Sequence, residues 1–334
     1  MPVNKPILVT GDRPTGRLHL GHLVGSLNNR VTFQIDYQCF FLIADLHMLT
    51  THYDRVEEVE QNTLQLVIDW LSVGMDPNRS IFYVQSQVPN ITELYTILSM
   101  LCTVPRSQRI PTLKEKAQDM GVGDNYSVGL LGYPILMAAD ILMFKATKVP
   151  VGEDQLSHLE LTRELARRFN FLYGEFFTEP DAVLSETPRL VGTDGNRKMS
   201  KSLENCIYLS DDPKTVERRV RGMYTDPKRL RADIPGTVEG NPIFIYHDAF
   251  NKNTDEVDDL KTRYRNGTVG DVEVKKKLTV AINNMLEPIR ERCEYFEGRM
   301  SDVRDIIHNG TRMAREIASG NMDEIIEKMG LFKP

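Results

Sequence analysis

At 334 residues, with 41% hydrophobic and 26% charged side chains, the chain is long enough to bury a large core and suggests two domains rather than one; its composition is that of a globular protein, not a disordered or fibrous one. A net charge of -6 weighs against indiscriminate nucleic-acid binding but leaves room for a local basic face. No stretch approaches the roughly 18 apolar residues of a membrane span, and MPVNKPILVTGD at the start lacks the layout of a signal peptide. Cys39, Cys102, Cys206 and Cys293 are too scattered for a disulfide framework or a zinc site, which fits a reducing cytoplasm.

In chain order, Ile7 to Thr10 is a short apolar run ending at Gly11 and reads as a buried strand. Helix-compatible sequence follows from His19 to Thr32, with Gly16, Gly21 and Gly25 around its start. Cys39 to Ala44 (CFFLIA) is a second strand, Val56 to Val73 a helix by its apolar spacing, and Ile81 to Val84 a third strand. That alternation predicts an α/β fold with a parallel sheet and crossover helices. From Ile91 to Phe169 the chain reads mainly helical, with one short strand at Lys148 to Gly152. After residue 204 it reads helical throughout: Pro213–Gly222, Pro242–Phe250, Thr254–Tyr264, Val272–Phe296, and one or two helices over Met300–Met329. The expected division is a catalytic α/β domain over 1–204, a helical domain over 205–295, and C-terminal helices over 296–334 able to pack back on the first domain.

Two polar stretches stand apart from this core pattern. The first is PTGRLHLGH, residues 14–22, at the carboxyl end of the first strand, where open parallel sheets bind ligands. A helix starting there offers unpaired N–H groups to phosphate, and its glycines permit close approach. His19 and His22 are three apart and suited to donate to phosphate oxygens. The same HxxH spacing occurs in metal sites, yet no carboxylate or cysteine at suitable spacing supports one; ordinary surface or core histidines are the plainer alternative. No GxxxxGK[ST] or GxGxxG loop occurs, so the P-loop and dinucleotide readings lose ground. The second stretch is DGNRKMSKSLEN, residues 194–205, a glycine-containing polar loop. Lys198 and Lys201 are point charges on flexible stems, suited to a polyphosphate, with a solvated basic loop as the alternative. A basic run, KTVERRVRGMYTDPKRLR at 214–231, holds seven basic and two acidic residues, whether as a nucleic-acid face or a solvated helix face.

HLGH after PTGRL, with KMSKS downstream, resembles the paired hallmark motifs of class I aminoacyl-tRNA synthetases. GYPILMAADILMFKATKVPVGEDQLSHLELTRELARRFN (132–170), VQSQVP (84–89) and LKEKA (113–117) narrow the resemblance to tryptophanyl-tRNA synthetases of the bacterial type, over nearly the full chain. Many bacterial members carry Gln-Pro-Ser-Gly before the histidine motif; here Arg13-Pro14-Thr15-Gly16 stands in its place, as in a second bacterial subgroup.

The resemblance implies a Rossmann-like catalytic domain, a homodimer, a helical anticodon-binding domain, and the substrates L-tryptophan, ATP with Mg²⁺, and tRNA(Trp). The reaction is adenylate formation followed by aminoacyl transfer. ATP is expected at Arg13, Thr15, His19, Gly21, His22, Gly25, Gly152, Asp154, Gln155, Lys198, Met199, Ser200 and Lys201. Lys116 of LKEKA aligns with a third phosphate-contacting lysine, a helix-surface lysine being the alternative. Mg²⁺ is expected on phosphate oxygens and water, without a protein cage.

The tryptophan pocket is expected at Val9, Gly11, Tyr133, Met137, Asp140, Val149, Val151 and Gln155. Indole has one N–H donor and no acceptor, so its pocket needs one buried acceptor in an apolar wall. Asp140 within LMAADIL is that candidate, with a helix cap or an ion pair as the alternative. The nearest competing function is a tyrosyl-tRNA synthetase, which shares fold and motifs. Others are a non-catalytic tRNA-binding paralogue and a cofactor-forming nucleotidyltransferase.

Overall fold

The computed structural model describes residues 5–184, 190–195, 199–226, 229 and 231–332. Five parallel strands form one sheet in the order β3-β2-β1-β4-β5: β1 Ile7–Asp12, β2 Gln38–Ile43, β3 Ser80–Val84, β4 Lys148–Val151 and β5 Asp181–Leu184. Side chains alternate between the faces as the period of two requires. Leu8, Cys39, Phe41, Ile43 and Phe82 enter one core, while Val9, Phe40, Leu42, Ile81 and Tyr83 enter the other. Both faces are covered, which is why these strands read as unbroken apolar runs. The edge strand β5 escapes sequence reading because DAVL is short and only partly covered.

The helices of the α/β part are α1 Leu20–His22, α2 Asn28–Asp36, α3 Asp45–Leu49, α4 Val59–Ser72, α5 Pro89–Leu101, α6 Val104–Gln108, α7 Pro111–Asp119, α8 Val128–Met143 and α9 Leu156–Tyr173. The helix expected over 19–32 starts as predicted, but a π-turn at Leu23–Leu27 separates α1 from α2. Such turns cluster at functional sites. The helical part holds α10 Pro213–Arg221, α11 Pro242–Phe250, α12 Thr254–Arg265, α13 Asp271–Glu297 and a single α14 Met300–Met329.

The core under one sheet face runs continuously into this helical part, from Leu8 and Phe41 to Val216, Leu278 and Cys293. Helix α14 returns to the sheet and packs on β3, α4, α5 and α8. Gly310 makes that approach possible, because a Cβ there would lie 2.1 Å from the Phe82 carbonyl oxygen. One residue on, the Thr311 hydroxyl accepts the Val84 N–H at 3.2 Å. The otherwise exposed edge of the sheet is thereby covered.

Candidate active site

The start of α1 is built by its own histidines. His19 is the N-cap, with extended backbone, and its Nδ1 accepts the Gly21 N–H at 3.1 Å. His22 returns the bond, its Nδ1 accepting the His19 N–H at 3.2 Å. This is a capping box made of two imidazoles. Because each ring accepts at Nδ1, its neutral form carries the proton on Nε2, a donor suited to an anion. The rings lie 3.9 Å apart, centroid to centroid.

The second motif reaches this turn across the fold. His19 bridges Tyr208 in antiparallel fashion; Leu20 N–H donates to Ile207 O at 2.9 Å and Leu209 N–H to Leu18 O at 3.0 Å. The loop just before that segment is thus brought over the helix start. Met199 is buried, with Sδ 3.3 Å from the Gly21 nitrogen. A Cβ at Gly21 would lie 3.0 Å from the His19 ring and 3.4 Å from Met199 Sδ, so glycine fits this crowded spot. Lys201 Nζ donates to the Gly16 carbonyl at 2.8 Å and to that of Thr15 at 3.2 Å. Burial lowers its pKa, while Asp69 and Asp12 favour its charge. The Ser200 N–H donates to Asn205 Oδ1 at 2.8 Å, which steadies the loop from behind. Lys198 lies outside the described residues.

Beside the turn, at the carboxyl ends of β1 and β4, is a cavity of about 190 Å³. Val9, Gly11, Arg13, Lys116, Tyr133, Met137, Asp140, Val149 and Gln155 line it, all expected from sequence, together with Asp12, His47 and His158, which were not. Val151 is buried in the adjoining core and is not part of the cavity wall. Gly152 and Asp154 are exposed just beyond β4, and Gly25 is exposed on the π-turn with open space where a Cβ would stand.

One end of the cavity is organised around Asp140, which is only 2% exposed. His47 Nε2 lies 2.8 Å from Oδ2, and Gln85 Nε2 donates to Oδ1 at 2.8 Å and to Oδ2 at 3.0 Å. Burial raises the Asp140 pKa, and the His47 and Gln85 contacts work against that rise. Asp140 caps no helix; its contact with His47 is a buried form of the ion pair weighed as the alternative in the sequence. Toward the other end, Lys116 Nζ sits 3.8 Å from the centre of the Tyr133 ring. Burial, reinforced by Arg13, pulls Lys116 down to about 8. Thr112 Oγ1, the Tyr133 hydroxyl and His158 Nε2 form a buried hydrogen-bonded triangle, with Tyr133 2.8 Å from His158. Burial, with Lys116 nearby, holds His158 down at about 4, so the imidazole is neutral at pH 7. Its Nδ1 is buried without a hydrogen-bond partner among the described residues. One end therefore offers a buried acceptor and the other carries cations.

Sequence reasoning missed His47, Gln85, Thr112 and His158. VQSQVP and GEDQLSH were singled out, yet their Gln85 and His158 were given no role. A polar residue embedded in an apolar pattern, the signal that found Asp140, was also present at His158.

A model of the family "tRNA synthetases class I (W and Y)" matches residues 2–287. The tryptophan–tRNA ligase of Treponema pallidum is 56% identical, over 97% of this chain and 96% of its own length. That of Borreliella burgdorferi is 50% identical, over 99% and 95%. The crystal structure of tryptophanyl-tRNA synthetase from Campylobacter jejuni complexed with ADP and tryptophan superposes with a TM-score of 0.86, at 35% identity, covering 97% of this chain and all of that one. The chain belongs to the class I tRNA synthetases for tryptophan and tyrosine, and within them to the tryptophan–tRNA ligases.

Proposed function

We infer that this chain carries out the reaction of that family (EC 6.1.1.2). It activates L-tryptophan with ATP to tryptophanyl-adenylate, releasing pyrophosphate, and passes the tryptophanyl group to tRNA(Trp), releasing AMP. The observation that carries this reading is the contact of the 199–201 loop with the PTGRLHLGH turn, beside a cavity that pairs a buried acceptor with cations.

The indole N–H donates to Asp140, which His47 and Gln85 hold in place. Phenylalanine-like side chains offer no N–H to the acceptor capacity that His47 and Gln85 leave on this carboxylate and are disfavoured. The substrate carboxylate then attacks the α-phosphate beside Arg13, with Lys116 on the ATP phosphates; no protein nucleophile is needed. Rate comes from positioning and from neutralising charge on the departing pyrophosphate. ATP phosphates take the α1 start, the Nε2–H donors of His19 and His22, and the lysines of the loop, including Lys198. Lys201 must leave the Thr15 and Gly16 carbonyls to reach them, which fits loop closure at the transition state. Gly25, Gly152, Asp154 and Gln155 border the nucleoside. Mg²⁺ would sit on phosphate oxygens and retain water; among the described residues no group of three histidine, cysteine or acidic side chains could hold a metal ion.

The helical part, 205–295, approaches the anticodon. On α10, Val216 and Val220 are buried while Lys214, Arg218 and Arg221 are exposed, giving a basic outer face for phosphates. Exposed Met100, Val104 and Val128, at adjoining ends of α5, α6 and α8, suit burial in a homodimer. No helix among the described residues is long and apolar enough to cross a membrane. Since translation supplies the tRNA, we assign the enzyme to the cytoplasm. ATP–pyrophosphate exchange with tryptophan and tyrosine side by side tests the reading. Exchange should depend on tryptophan, and equal exchange with tyrosine would overturn it.

A further inference from the structure

The connection from Gly11 to His19 joins the sheet to the nucleotide turn, and consecutive residues of α4 grip both its ends. Asp69, fully buried, accepts the Leu18 N–H at 2.6 Å through Oδ2, while Gln65 Nε2 occupies Oδ1 at 3.1 Å. Leu18 immediately precedes the N-cap His19. At the other end, Trp70 Nε1 donates to Asp12 Oδ2 at 3.0 Å. Arg30 from α2 pairs with the same carboxylate and donates to Gly11 O at 3.1 Å. Asp12 is therefore doubly held, while Leu18 is held through its N–H by Asp69 and through its carbonyl by the Leu209 N–H.

A buried carboxylate is costly, and Asp69 has no direct cation in hydrogen-bond contact among the described residues; Arg17 and Lys201 act on it only through space. Two apolar side chains would pack this helix turn against the sheet equally well. What the pair supplies instead is an acceptor and a donor at fixed positions on one rigid helix. Positional precision of this kind matters most where a bound group must meet several donors at once.

We propose that Asp69 and Trp70 are positioning residues for ATP, acting by fixing the Gly11–His19 connection and hence the α1 start. The proposal rests on the synthetase reading and deepens it. Neither residue touches substrate; both set where Arg13, Thr15, His19 and the Gly21 N–H stand.

The test is steady-state pyrophosphate exchange with Asp69→Ala, Asp69→Asn and Trp70→Phe. Tryptophan-dependent exchange by the unaltered enzyme is measured first, so that failure of the synthetase reading is seen separately. Asp69→Ala should raise KM for ATP about tenfold, with kcat and KM for tryptophan within about twofold. Asp69→Asn keeps an acceptor for Leu18 and should restore KM for ATP to within about threefold of the parent. Trp70→Phe keeps the ring and loses the donor; Arg30 still holds Asp12, so KM for ATP should rise only about threefold. If Asp69→Ala does not fold, the Asn and Phe variants decide. Equal changes in both KM values, an Asn variant as damaged as Ala, or an unchanged KM for ATP in Trp70→Phe overturns the proposal.

Discussion

The two ends of the active site are held by different physics. At the acceptor end Asp140, His47 and Gln85 are mutually hydrogen-bonded beside the core formed by α8, β2 and β3, so the protein's own side chains fix the geometry. At the phosphate end the contacts join residues 178 and 185 positions apart and involve a thioether and backbone carbonyls, Met199 to Gly21 and Lys201 to Gly16. Amino-acid selection needs a fixed acceptor, because discrimination comes from a hydrogen bond that only the correct side chain can complete. Phosphate chemistry needs charges that can move with the reaction.

The sharpest way to break this contrast is Asp140→Ala. It should lower kcat/KM for tryptophan about a thousandfold, since it removes the acceptor and orphans His47 and Gln85, with KM for ATP nearly unchanged. An equal loss toward both substrates, read by exchange kinetics, would mean that the ends are not separable. Lys201→Ala should cost about a hundredfold in kcat, with KM for tryptophan unmoved. A smaller effect should follow pH. Lys116 is charged below its pKa of about 8 and neutral above it, so KM for ATP should climb several-fold as pH rises through that value. Lys116→Arg keeps its charge and should flatten the climb. The mildest effect concerns stability. His158 in the folded chain takes its proton only near pH 4, whereas the unfolded chain takes it near 6.5. Between those values the unfolded state binds more protons, so this contribution to stability is lost as pH falls from 6.5 to 4 and is level below. His158→Gln should remove a few degrees of the pH-dependent fall in Tm over that window, measured by thermal melts.

Legibility in the sequence followed the same divide. The phosphate end is written in contiguous motifs, so HLGH and KMSKS could be read directly, as could the strand–helix alternation that puts HLGH at the carboxyl end of the sheet. Asp140 was legible because a carboxylate in LMAADIL demands a partner. The partners themselves were not: His47 and Gln85 lie 93 and 55 residues away, and α3, which carries His47, is five residues long, too short for periodicity to show. Asp69 and Trp70 were hidden for the opposite reason. Both sit in the C-terminal half of α4, buried throughout from Leu66 to Ser72, where Asp69 was the one charged letter. The π-turn after α1 leaves no mark on hydrophobic spacing, so one continuous helix was the natural reading.

The claim that everything else depends on is that the imidazoles of the first motif and the ammonium groups of the second act on one triphosphate. A double-mutant cycle on kcat for pyrophosphate exchange, with His22→Ala, Lys201→Ala and the pair combined, addresses it directly. The double variant should lose far less than the product of the single losses, as groups acting as a unit do. Strictly multiplicative losses would show the two motifs working independently and would contradict the account.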